Sequence, residues 1–148
     1  MKNLLFLYST VFFYSSICLF TFGGCEKYPE KIQENLNKLK STNKCSGCDL
    51  TGVELVSFDL KNVNLSGFAN LSRADLTNAD LTNGNLTAAG LTEANMTRAN
   101  LTGANLTGAN LTGANLTGAI LTGANLTGAI LTDEQLSLLE SSGLLLSP

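Results

Sequence analysis

The chain has 148 residues, a hydrophobic fraction of 44% and a formal net charge of −3. That length supports one domain and leaves no room for a second sizeable core. The chain contains no histidine, the commonest acid–base side chain, and no basic stripe that would give nucleic-acid binding an electrostatic footing. Met1-Lys2-Asn3 makes a short positive start, and Leu4 to Phe22 is apolar and aromatic. Residues 1–24 therefore read as a secretory signal, although the stretch is long enough to stay as a membrane anchor.

Phe22-Gly23-Gly24-Cys25 resembles a lipobox, the site where bacterial signal peptidase II cuts before a cysteine that carries lipid. Small residues precede Cys25, and Phe22 stands where leucine is usual. Lipidation at Cys25 is the leading expectation, with an ordinary cleaved signal or a retained anchor as the alternatives. All three direct the remaining chain out of the cytoplasm, into a bacterial cell envelope, with membrane contact through the lipid or the N-terminal anchor. Residues 25–47 are then a linker and a helix. Pro29 suits a first helical position, and Ile32, Leu36 and Leu39 share one face of a helix predicted over Pro29–Lys40.

Cysteine arithmetic follows from this order. Cys18 leaves with the signal and Cys25 takes lipid, so Cys45 and Cys48 remain as an even pair where disulfides persist. A buried pair or short staple is the leading reading. A C-x-x-C redox site is the alternative, although no βαβ pattern accompanies it and Lys44 is the one nearby charge able to lower a thiol pKa. Zinc is disfavoured, because two thiolates without histidine do not complete a tetrahedral site.

From Asp49 to Leu131 a leucine, once a methionine, falls on nearly every fifth residue. The seventeen centres are Leu50, Leu55, Leu60, Leu65, Leu71, Leu76, Leu81, Leu86, Leu91, Met96, Leu101, Leu106, Leu111, Leu116, Leu121, Leu126 and Leu131. A helix repeats near 3.6 residues and a strand at 2, so neither has this beat. In extended backbone the alanine two residues before each leucine faces the same side as that leucine. The next alanine comes three residues after the leucine, which requires a corner, and glycine suits that corner. Each unit reads as a short strand and a turn.

The motif A-(N/D)-L-x-x resembles the pentapeptide-repeat family over residues 48–131. The resemblance implies an all-β solenoid, a right-handed quadrilateral parallel β-helix of about four coils with short helical caps at both ends. With rungs about 4.8 Å apart, the coils would run for roughly 20 Å. The inward residues Val53, Phe58 and Val63 are bulky, so the first coil is expected to be wide and covered by the Pro29–Lys40 helix. A partner-binding amphipathic helix is the alternative. Leu65 to Leu71 is one residue too long, and the surplus is placed at Phe68, whose ring is expected over the outside of the first coil, with a partner-binding protrusion as the alternative.

Such winding stacks Glu54 on Asp75 and Asp59 on Asp80. Like charges at one strand spacing should raise a pKa or attract a cation, a weak Ca²⁺ candidate, unless the side chains splay into water. Lys61 and Arg73 are available to neutralise them. Thr102, Thr107, Thr112, Thr117, Thr122 and Thr127 form threonine ladders that could order water or meet ice or glycan, while Asn105, Asn110 and Asn115 are expected to stack as amide ladders. Some members of the family are thought to mimic DNA and bind gyrase through an acidic rod. Here the last seven units carry no charge and the export signal points elsewhere, so that role is disfavoured.

Residues 132–148 close the chain. Thr132-Asp133-Glu134-Gln135 has the form of a capping box and opens a helix to about Ser141, with Gly143 as its stop. Ile120 and Ile130 replace outward asparagines at this end. Either the tail with Leu144 to Leu146 folds back on them, the leading reading, or they form a homodimer patch. The expected protein is a non-enzymatic scaffold without cofactor, acting structurally or binding an envelope protein of unknown identity.

Overall fold

The computed structural model describes residues 27–141. The signal 1–24, Cys18, Cys25 and the tail residues Gly143 and Leu144 to Leu146 lie outside the described residues.

Helix α1 spans Glu30–Thr42. Pro29 stands outside it as the N-cap rather than as its first residue, because its ψ of 145° is extended while its carbonyl already accepts the Gln33 N–H at 3.0 Å. The helix runs past Lys40 to Thr42 and stops where Asn43 turns left-handed, its N–H returning to the Leu39 carbonyl at 2.8 Å. Leu36 and Leu39 are buried in the same core as the solenoid, and Ile32 packs against it. Asn35 Nδ2 donates to the Asp49 carbonyl at 3.0 Å, tying the helix to the first coil.

The solenoid is built from isolated parallel bridges rather than continuous strands. Each side of a coil has too few extended residues between corners to make more. Bridged residues lie 21 apart from Asp49↔Asn70 to Asn64↔Asn85, and 20 apart from Asn70↔Gly90 onward. The change of offset is the extra residue at the corner after Leu65. Between rungs, Leu71 N–H donates to the Gly90 carbonyl at 2.7 Å and Gly90 N–H donates to the Ala69 carbonyl at 2.9 Å.

Corners follow from the same unit. The N–H of each inward alanine returns to the carbonyl of the leucine three residues earlier, as in Ala74 to Leu71 at 3.0 Å. The third residue of the turn takes φ between 54° and 69° while the second stays negative, which is a type II turn. Centres and the residues two before them point inward and fill the axis without a channel: Leu71, Ala74, Leu76 and Ala79 are all fully buried. Burying each such leucine contributes about 1.5–3 kcal/mol relative to leaving it exposed. Val53 and Val63 are also fully buried. Gly84, directly below Val63, leaves it room: a Cβ there would sit 3.1 Å from Val63 Cγ1.

Phe68 differs from expectation. The surplus residue is where the spacing placed it, with Gly67 and Phe68 both at positive φ (66° and 65°). The ring is 80% exposed, so it does not cover the first coil. An outward corner directs it to solvent.

Helix α2 spans Asp133–Ser141. The capping box forms: Thr132 N–H donates to Gln135 Oε1 at 2.7 Å, and Gln135 N–H donates to Thr132 Oγ1 at 3.3 Å.

Candidate interaction sites

At the solenoid's mouth Cys45 and Cys48 form a disulfide, with the sulfurs 2.05 Å apart. Both are buried, and Cys45 Sγ lies 3.3 Å from the Asn35 carbonyl oxygen. Cys45 does more than face its partner. Its N–H donates to the Asn64 carbonyl at 2.7 Å, and its carbonyl accepts the Cys48 N–H at 3.2 Å, the corner made elsewhere by leucine. Cys45 is therefore a further repeat centre, and bridging begins at Lys44 rather than at 48. Gly47, with φ 66°, marks its corner five residues before Gly52 and was the signal available in the sequence.

The stacked carboxylates are neighbours as Glu54↔Asp75 and Asp59↔Asp80. Glu54 pairs with Lys27, and its own N–H donates to Tyr28 Oη at 2.9 Å. Asp75 Oδ1 accepts the N–H and hydroxyl of Thr77. Lys61 reaches Asp80 at 3.3 Å and Asp59 at 4.0 Å. The expected rise in pKa does not occur at Asp80. Hydrogen bonding from the Thr82 hydroxyl holds its carboxyl below the usual range against the opposing effect of burial, helped by the Thr82 N–H and Lys61. Among the described residues no group of three or more acidic or thiol side chains converges as a metal shell, whereas Ca²⁺ takes about six to eight oxygens.

The threonine and asparagine columns bond across each unit. Thr107 Oγ1 donates to Asn105 Oδ1 at 2.6 Å, and Thr117 Oγ1 to Asn115 Oδ1 at 2.7 Å. Amide-to-amide ladders are replaced by amide-to-threonine bonds, because each asparagine oxygen is taken by its own unit's threonine. Where an amide reaches the rung above, it also meets threonine, as Asn95 Nδ2 does at Thr77 Oγ1, 2.9 Å away.

At the far end Gln135 clamps α2 to the last coil. Its Nε2 donates to the carbonyls of Leu111 (2.7 Å), which also accepts the Ala114 N–H at 2.9 Å, and of Ala114 (2.8 Å), which has no further rung to pair with. Spacing alone could identify Gln135 as a cap residue but not this long-range contact. Beside it a cleft of about 810 Å³ is lined by Leu116, Ala119, Ile120, Leu138 and Leu139 among others. Ile120 and Ile130 are 50% and 55% exposed, and Leu138 63%.

The family model for pentapeptide repeats matches residues 69–108 and 94–133, in eight copies. Residues 69–133 therefore carry pentapeptide repeats. No curated protein matches the chain. Among solved structures it is similar to HetL, a pentapeptide repeat protein involved in heterocyst differentiation regulation from Nostoc sp. strain PCC 7120. That likeness has 38% identity and a TM-score of 0.44, covering 61% of this chain and 39% of HetL. The chain thus spans well under half of HetL's length. It is also similar to Rfr23 from Cyanothece 51142, at 29% identity over 68% of this chain and 99% of that one, TM-score 0.43.

Proposed function

We propose that the chain is a non-enzymatic scaffold, exported to a bacterial cell envelope and lipid-anchored at Cys25, that holds another envelope protein at the C-terminal end of its solenoid. The observation that carries this reading is the apolar cleft between α2 and the last coil, where Ile120 and Leu138 are exposed. Exposed apolar side chains grouped around a cleft are the usual mark of an interaction site. In this reading α1 and α2 act as caps of a rod of about four coils, which keep its ends from pairing with other sheets. The attachment precedes α1, so the apolar end lies at the opposite end of the rod from the anchor.

Two experiments test the parts separately. Incorporation of labelled fatty acid should be lost in Cys25→Ser; label retained in that variant contradicts the anchor. Photo-crosslinking from a position in the cleft should trap one envelope protein in wild type and lose it in Ile120→Asp, whose side chain lines the cleft. Crosslinks only to a second copy of the chain, or none at all, contradict the partner reading.

A further inference from the structure

The sides of the solenoid are not equivalent. One carries an unbroken amide column, with Asn64, Asn85, Asn105 and Asn125 joined by successive bridges. The other columns are interrupted, by Gly90 and Ile130, by Glu54 and Asp75, and by Asp59, Asp80 and Ile120. Within the column each side-chain oxygen is fixed from inside. The N–H groups of Ser66, Thr87 and Thr107 each donate to the asparagine Oδ1 at 3.1 Å, and Thr127 N–H does so at 3.0 Å. The hydroxyls of the same four residues donate to the same oxygens. A backbone N–H can only donate, so the atom receiving it must be the amide oxygen. The four –NH₂ groups are left facing outward with no partner among the described residues, and Asn85, Asn105 and Asn125 are exposed.

The borders of this side are as distinctive as its centre. The adjoining corners hold Gly67, Ala88, Gly108 and Gly128 on one edge and Asn62, Asn83, Gly103 and Gly123 on the other, none of them charged. Lys44, at the top of the column, is its one ionised group; Lys61, in the corner with Asn62, turns to Asp80 and Asp59, and the carboxylates at Glu54, Asp59, Asp75 and Asp80 belong to other sides. Phe68 projects from the small-residue edge, 80% exposed and held at φ 65°, a conformation that disfavours a bulky side chain.

We propose that this side binds a neutral polysaccharide laid along the solenoid axis. Its amides recur at about one rung spacing, near 4.8 Å, and offer uncharged donors to a polymer rich in hydroxyl and carbonyl oxygens. The threonine hydroxyls keep free lone pairs to accept from sugar hydroxyls. The Phe68 ring supplies a flat apolar surface for the C–H face of one sugar. Charge matching decides the class: an ionised polymer finds no row of counter-charges here, and a protein core finds no apolar patch beyond one ring. This surface is separate from the cleft proposed for an envelope protein, so either assignment can fail alone.

The chain itself supplies a substitution that keeps the unit intact. Asp75 and Asp80 occupy the asparagine slot and accept from Thr77 and Thr82 in the same way. Asn85→Asp/Asn105→Asp should therefore fold normally while turning two outward donors into charged acceptors. Binding of chitotetraose and cellotetraose to the full chain in mild detergent is measured by isothermal titration calorimetry. Wild type should bind at least one, with the double variant weaker by about tenfold or more. Phe68→Gly, which suits the positive φ, should weaken binding severalfold. Asn95→Asp/Asn115→Asp, on the side of Glu54 and Asp75, should leave it unchanged. No heat with either sugar at millimolar concentration overturns the proposal. So does undiminished binding by Asn85→Asp/Asn105→Asp in a chain whose circular dichroism matches wild type.

Discussion

The coils before residue 99 and those after it share one backbone but reach the left-handed corner by different means. In the earlier coils only Gly47, Gly52 and Gly67 bring glycine to the corner, while Ser57, Asn62, Arg73, Asn78, Asn83, Ala88, Glu93 and Arg98 take positive φ without it. In the later coils Gly103, Gly108, Gly113, Gly118, Gly123 and Gly128 occupy the same corner. The corner is thus imposed by the stacking, and glycine merely removes its cost. The earlier coils also gain side chains at their corners, including the Arg73–Glu93 pair at 2.7 Å. They are better covered as well: Leu76 is fully buried, whereas Leu116, in the same column, packs only partly against the core.

The largest test of this contrast compares those two leucines. Leu76→Ala should cost about 2–5 kcal/mol in urea unfolding, and Leu116→Ala clearly less. Equal losses would mean that the last coil is as enclosed as the middle. Gly84→Ala comes next. Its Cβ would meet the Leu81 carbonyl at 3.0 Å and Val63 at 3.1 Å, which should cost about 1–3 kcal/mol, partly restored by Val63→Ala. A loss that Val63→Ala does not reduce would place the clash elsewhere. Replacing Cys45 and Cys48 by serine removes a short-range crosslink and should lower stability by about 2 kcal/mol, with the effect confined to early-coil amides in hydrogen exchange.

Smaller effects probe the corners and the carboxylates. Gly108→Ala meets no atom within 4 Å, so its cost of about 1 kcal/mol isolates the φ penalty. Arg98→Gly should go the other way, gaining roughly 0.5 kcal/mol after the added freedom of the unfolded chain is counted. Matching signs would refute the corner argument. Asp80 has a folded-state pKa below its unfolded one, so its contribution is present above the usual carboxylate range and is lost as pH falls through the lowered value. Thermal midpoints should therefore fall less steeply on acidification in Asp80→Asn than in wild type. Identical slopes would remove Asp80 from the account.

The leucine spacing made the solenoid legible, because every fifth position had to return to one axis. The extra residue at Phe68 was legible for the same reason, though not its exposure, since periodicity says nothing about where an outward ring turns. Cys45 escaped because a centre filled by cysteine breaks the leucine count, although its corner glycine kept the period. The capping box at Thr132 and Gln135 is local and was visible; the reach of Gln135 to Leu111 and Ala114 depends on where the last coil ends, which leaves the Ala114 carbonyl without a rung. The inward turn of each asparagine oxygen was hidden by the same limit, because residue type alone does not orient an amide.

Register is the claim on which both interaction surfaces depend, and through-space contacts between backbone protons test it most directly. Nuclear Overhauser spectra of the full chain should connect the bridged pairs Asn85 with Asn105 and Asn105 with Asn125, and above the slip Asp59 with Asp80. Contacts dominated by helical spacing, or rungs joined at any other offset, would contradict it.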